Sequence, residues 1–432
     1  MKLLSYILVL TVLIVYPMIA KADSIFYKIE LQLVPEKQSL EANVDLTYYA
    51  DKDQSDSLTF LLYRDFSIKT LTCNNLVKYT FDTKHSSPYQ FAPKAGVLTI
   101  YLNKPLYKGE ALQVKLQYAG EIKRGFFEVL FGRNVNNRIT EEWTEIGQYT
   151  PWFPFKPEIK NLTYQVNVKI SSKYKVFGNG KTKKMSNHWE ILQNHPSEDI
   201  IIIASKDIKT INIKKNDLSL DINYTTVSDS IANDILKNAL WILEKYNEWF
   251  GDIKVNHASI VITPRNKGAS YSRRGFIVFT SFEDDDYHQK EIGYFKLIAH
   301  EFSHFWWSEA PSTSWEDWLN ESFAEYSSLM AVREKFGKET FTKIIQKKQK
   351  EIKGLPAIKG LDRTSSKAYA VLYDKGCVLL YELESEIGKE DFLKLLKQLV
   401  INKVNSTEQF LKVLMDLTSV EVSKQFEEKL NR

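Results

Sequence analysis

The sequence predicts an α+β protein: an N-terminal antiparallel β domain of sandwich or saddle form, followed by a mainly helical domain. Three observations carry this. Apolar and polar residues alternate from about Ile25 to Lys209, apolar residues fall at helical spacing from Ser228 onward, and 432 residues with 44% hydrophobic and 26% charged positions suffice for two cores. That composition excludes disordered, coiled-coil and disulfide-scaffold readings. With 12 Pro and 17 Gly, no repeat period and no Pro- or Ser/Gly-rich linker, the chain reads as folded throughout.

Residues 1–22 read as a secretory signal. Lys2 supplies the positive start, Leu3 to Ile19 is an almost unbroken apolar run, and Ala20-Lys21-Ala22 forms a small-x-small cleavage site. The alternative is an uncleaved N-terminal anchor. No later stretch reaches the roughly 18 apolar residues of a membrane helix, so no span is expected after cleavage. Removal takes away Lys2 and Lys21 and no acid, lowering the formal charge from +4 to +2. So even a balance gives no argument for nucleic acid or an anionic membrane as partner, and neither is expected. Cys73 and Cys377, expected in different domains, read as free buried thiols.

The segments Tyr27 to Val34, Ala42 to Tyr48, Leu112 to Tyr118, Tyr164 to Ile170 and Ile200 to Ala204 read as strands. From Ser228 to Phe250 the residues Ile231, Ile235, Ala239, Leu240, Leu243 and Trp249 share a helix face. Two short strands, Ser259 to Thr263 and Phe276 to Thr280, follow, and helical periodicity then runs to the C-terminus. The domain boundary is placed near residue 212, giving a β domain of 23–212 and a helical domain of 213–432.

The chemistry lies in Phe295 to Trp307, where His300-Glu301-Phe302-Ser303-His304 forms an H-E-x-x-H pattern in an apolar, helical context. Histidines at i and i+4 lie on one face about 6 Å apart, so both imidazoles can reach one zinc ion. Glu301, one step round the helix, stands beside a zinc-activated water as a general base. A catalytic zinc needs a third donor. Downstream, Trp315 to Tyr326 reads as the start of a second helix with Glu321 and Glu325 on one face, and on spacing alone either can supply it.

His300 to His304 followed by Trp318-Leu319-Asn320-Glu321 resembles the gluzincin metallopeptidases of the aminopeptidase N and leukotriene-hydrolysing type. The resemblance makes Glu321 the third ligand of one zinc ion and Glu325, one turn on, a residue behind the ligands. It also implies a thermolysin-like catalytic domain. The 16 residues from Phe305 to Asn320 are two fewer than the family's spacing, a shortening expected in the loop Ala310 to Ser314. Tyr149 to Phe155, Tyr164 to Ile170 and Val176 to Gly180 resemble the family's N-terminal β domain. Tyr373-Asp374-Lys375-Gly376 resembles its Tyr-x-Lys-Gly segment, whose tyrosine donates to the oxyanion of the tetrahedral intermediate.

The sequence departs from the family where aminopeptidases carry Gly-x-Met-Glu-Asn, the glutamate of which binds the substrate's free amine. Here the stretch is Gly268 to Phe276, and Ser272 replaces the acid, followed by Arg273 and Arg274. A cationic amine meets no counter-charge from that strand. Either arginine can hold a substrate carboxylate or carbonyl, or both can lie on a solvated loop; Glu141, Glu142 or Glu145 can replace the lost acid. The chain also ends where the family's catalytic domain ends, which predicts an open cleft with room for a protein partner. The acidic run Glu283 to Asp286 reads as a solvated loop. The expected function is therefore an exported zinc metallopeptidase, periplasmic or secreted and of bacterial type, acting on peptides or proteins, with altered amine recognition. The alternatives are a true aminopeptidase using other acids and a non-catalytic exported scaffold with a structural zinc.

Overall fold

The computed structural model describes residues 24–50, 54–123, 127–129, 133–135, 138–252, 254–265, 268–282 and 284–432. The expected signal segment 1–22 and Glu283 of the acidic run lie outside these residues.

The N-terminal part is built on a seven-stranded sheet in the order Lys181–Lys184, Trp189–Ser197, Leu162–Lys169, Ser24–Val34, Ser39–Tyr49, Ala111–Glu121 and Ser67–Cys73. Alternation dictates its inner face: Ser24–Val34 buries Ile25, Tyr27, Ile29, Leu31 and Leu33 and turns the residues between them outward. All its pairings are antiparallel except Ser24–Val34 with Leu162–Lys169, which run parallel. A three-stranded sheet of Ser55–Tyr63, Ala95–Leu106 and Leu76–Asp82 shares the same core through Phe60, Leu62, Leu98 and Ile100. The aromatic segment Trp152 to Phe155 fills this core. Tyr27 and Tyr118 donate their hydroxyls to Pro154 O (2.6 Å) and Trp152 O (2.5 Å), which satisfies carbonyls that burial would otherwise strand.

A five-stranded mixed sheet follows, ordered Lys209–Lys215, Leu218–Tyr224, His257–Ile262, Phe276–Phe279 and Tyr271–Arg273. Residue 212 thus falls inside the hairpin that opens this sheet. Helix α1 (Asp229–Phe250), capped by Ser228, packs against the sheet through Ile231, Ile235, Leu236 and Leu243. The short α2 (Asp284–Tyr287), then α3 (Glu291–Ser303), α4 (Trp318–Glu351), α5 (Gly376–Ile387), α6 (Lys389–Ile401), α7 (Thr407–Leu417) and α8 (Val420–Leu430) complete the chain. Helix α4 breaks at Gly337, whose φ of +87° a side chain would resist, and its two halves point in different directions. A π-helical turn, Ala370–Lys375, precedes α5.

The two parts meet through Trp143, Ile201 and Ile203 against Tyr271, Phe276 and Val278. Two buried ion pairs flank that contact. Arg265 donates to both oxygens of Glu145 (3.0 and 3.1 Å), and Arg273 donates twice to Asp199 Oδ2 (3.2 and 3.1 Å). Both cysteines are free; Cys377 is buried as expected, whereas Cys73 is partly exposed. No helix among the described residues is long and apolar enough to cross a membrane.

Candidate active site

Helix α3 buries Phe295, Ile298, Ala299 and Phe302, and the Tyr246 hydroxyl of α1 donates to Ala299 O at 3.0 Å. This anchoring fixes His300 near its end and His304 just past it, with ring centroids 5.0 Å apart. Each ring has its Nδ1 engaged: His300 with Glu325 Oε2 at 3.3 Å, His304 with Trp307 O at 3.0 Å. Acceptors there assign the proton to Nδ1 and leave each Nε2 lone pair available. Both Nε2 atoms converge on Glu321 Oε2, at 3.4 Å from His300 and 3.6 Å from His304.

That arrangement fits a metal ion. One ligand atom each from His300, His304 and Glu321 lies within 4.8 Å of the others. Glu321 Oε2 is buried and accepts no hydrogen bond, an orphaned acceptor that a cation satisfies. Two imidazole nitrogens with one carboxylate oxygen form a donor set suited to zinc with a further position open. Burial disfavours the charged form of His300, but Glu321 and Glu325 outweigh it and raise its pKa to about 9. Burial likewise opposes ionisation of Glu321, yet His304, His300 and Arg363 hold its pKa down to about 2. A field that retains a proton on buried imidazole also favours a divalent cation in its place.

Glu321 stands in the first turn of α4, and its neighbours fix that turn. Trp318 is fully buried and donates to Thr407 Oγ1 at 2.8 Å. Asn320 accepts from Ala310 N (3.1 Å) and donates to Ala310 O (3.0 Å), tying the preceding loop to α4. It also donates to Asp317, which is held in turn by the buried Arg363. From the β part, Lys160 donates to the Ser308 and Glu309 carbonyls of the same loop at 3.1 and 3.3 Å.

Glu325 does not converge with the ligand atoms. One of its oxygens meets His300 Nδ1, and the other lies 2.5 Å from Lys296 Nζ and 2.7 Å from Lys348 Nζ. These cations and His300 overcome burial and hold its carboxyl well below the usual range. Glu301 is buried beside His300. Tyr373 reaches the same place from the π turn, its ring parallel to that of His300 with centroids 5.8 Å apart, while Tyr369 stacks on it at 4.3 Å. Ser322, next to Glu321, donates to Leu372 O at 2.5 Å, so the ligand helix also holds the turn that carries the tyrosine. Gly376 makes this approach sterically accessible: a Cβ there would lie 1.8 Å from Ser322 Oγ.

The strand Tyr271–Arg273 is an edge strand, with Ser272 half-buried and paired with Ile277. Arg273, read from the sequence as either a substrate contact or part of a solvated loop, is instead buried, with its charge answered by Asp199 and its guanidinium near the Tyr149 and Tyr271 rings. Arg274 lies exposed at the following turn. Of the acids considered as replacements, Glu145 is buried and bound by Arg265, Trp143 and Tyr271, and Glu141 pairs with Lys206 on the surface. The sequence reading missed Lys296, Lys348, Ser322 and the Trp307 carbonyl. Only Lys296 left a signal, four residues before His300 on the same helix face.

Residues 265–428 match the Peptidase family M1 domain. Aminopeptidase Q of Mus musculus is 21% identical over 266 residues, 55% of this chain and 48% of that protein. Probable aminopeptidase 2 of Sulfurisphaera tokodaii is 22% identical over 250 residues, 49% of this chain and 32% of that protein. The chain therefore spans less than half the length of either relative. The crystal structure of the M1 zinc metallopeptidase from Deinococcus radiodurans superposes with a TM-score of 0.69 at 15% identity, covering 94% of this chain and 93% of that one. A mutant of that enzyme bound to a Tyr-Ser-Ala substrate gives a TM-score of 0.71 at 15% identity, covering 95% and 94%. The H-E-x-x-H pattern therefore lies inside a stretch that matches the Peptidase family M1 domain, and the chain shares the fold of the Deinococcus radiodurans structure.

Proposed function

We propose that this protein is an exported zinc metallopeptidase that hydrolyses peptide bonds and does not depend on the substrate's free amine as aminopeptidases do. One observation carries the hydrolytic part: His300 Nε2, His304 Nε2 and Glu321 Oε2 converge while both Nδ1 atoms are already engaged. These three residues hold one zinc ion, which when bound supplies Lewis acidity to a water and to the scissile carbonyl. Glu301 takes a proton from the attacking water and returns it to the leaving amine. The Tyr373 hydroxyl donates to the developing oxyanion, since a phenol stays protonated at neutral pH. Stacking against His300 and Tyr369 limits the directions in which that hydroxyl can point.

Amine recognition is the altered part. Ser272 offers no charge, and Glu145 and Asp199 are already matched by Arg265 and Arg273. A substrate ammonium would have to displace an arginine from either acid, which favours extended or blocked substrates. The apolar run and small-x-small site before Asp23 support export. The test compares a free dipeptide amide with its N-acetylated form. Comparable kcat/KM on both supports this reading; a strong preference for the free amine returns the protein to the true aminopeptidases. Failure to cleave any member of a broad peptide library with zinc bound would favour a scaffold instead.

A further inference from the structure

We propose that Lys348 is a positioning residue, its one buried ammonium joining the carboxylate behind His300 to the turn that carries Tyr373. The inference rests on the metal and tyrosine assignments above. Lys348 Nζ lies 2.7 Å from Glu325 Oε1 and contacts Asp374 Oδ1, the residue after Tyr373. Glu325 and Lys348 are 23 positions apart in α4, and at 1.5 Å per residue a straight helix would separate them by about 35 Å. The break at Gly337 turns the second half back, so the contact is built by the fold rather than by helical proximity.

The arrangement has a chemical consequence. A carboxylate on the Nδ1 of a ligating histidine fixes the ring and raises its basicity as a ligand. With Oε2 on His300 and Oε1 between Lys296 and Lys348, Glu325 has no freedom to rotate away. Lys296 is partly exposed and Lys348 is buried, and both attract the Glu325 carboxylate. Burial opposes the charge on Lys348, but Glu325 and Asp374 outweigh it and keep the ammonium protonated. Asp374 is the remaining partner, so a shift of the turn at Tyr373 is transmitted through one ion to His300.

The test measures zinc affinity by competition with a chromophoric chelator, alongside steady-state kinetics and thermal unfolding of the zinc-free proteins. Lys348→Met should weaken zinc binding about 10- to 100-fold, the usual cost of removing an outer partner of a metal ligand. It should also lower kcat while leaving KM near its original value. Asp374→Asn, which touches no ligand, should weaken zinc binding by about 2-fold or more in the original background and not at all in Lys348→Met, since coupled groups are non-additive. Asp374→Asn alone carries the test if Lys348→Met does not fold. Unchanged zinc affinity in the Asp374 variant, or a fall in thermal stability as the only effect, would overturn the proposal. His304→Ala separates the two levels: if it binds zinc as well as the original protein, the metal assignment itself fails and this inference with it.

Discussion

Gly376→Ala offers a sharp steric test of how the π turn is seated. The new Cβ would lie 1.8 Å from Ser322 Oγ and 2.7 Å from Ser322 Cβ. Rotating the hydroxyl away relieves the first clash but breaks its bond to Leu372 O, about 1 kcal/mol for a neutral buried hydrogen bond. The second clash remains. Reaching an ordinary 3.4 Å from 2.7 Å requires α4 and α5 to part by 0.7 Å, an overpacking strain of about 1–3 kcal/mol. Alanine's helix propensity returns about 1 kcal/mol, so the net loss is about 1–3 kcal/mol. Urea unfolding of the zinc-free protein measures it. Ser322→Gly introduced alongside should recover most of the loss, because it removes both opposing atoms. kcat should fall with the single change, since Tyr373 lies three residues before the strained position. A Gly376→Ala protein within about 0.5 kcal/mol of the original, or more stable than it, would refute the reasoning, as surface-like tolerance has no place at such a contact.

Three further outcomes are expected. Glu301→Gln should keep zinc at full stoichiometry and lower kcat by about 10²–10⁴-fold, the range for loss of a general acid–base; peptidase activity surviving that change sinks the assignment. Tyr373→Phe should lower kcat by about 10²–10³-fold with little change in KM, as for loss of one oxyanion donor, and equal effects on both constants would point to a packing role. Glu145→Gln should destabilise the protein by about 3–5 kcal/mol, because it leaves Arg265 buried without its counter-charge. A rise in KM for free-amine peptides with stability unchanged would show that Glu145 reads the substrate instead.

Much of the architecture was legible because burial is one-sided. Ser24–Val34 alternates strictly, so its strand and inner face follow from the residues alone, and α1 follows from its apolar spacing and the Ser228 cap. The parallel pairing of Ser24–Val34 with Leu162–Lys169 joins segments far apart in sequence, and alternation says nothing of which strand lies beside which. The convergence of His300, His304 and Glu321 was legible from spacing and resemblance, since two helix faces carry it. Arg273 was harder to read: a cation on an edge strand looks exposed until Asp199, contributed by the other part of the molecule, is brought against it. Lys348 was out of reach for a related reason. Its meeting with Glu325 depends on the turn at Gly337, and a glycine in a helical run does not state the direction in which the chain leaves it.

The most direct test of the account is a zinc titration of chelator-stripped protein, following bound metal and hydrolysis of an N-acetylated peptide amide together. The account predicts that both rise to a single break at one equivalent and that His304→Ala abolishes both. Full hydrolysis by the stripped protein, or an activity that appears only after a second equivalent has bound, would contradict it.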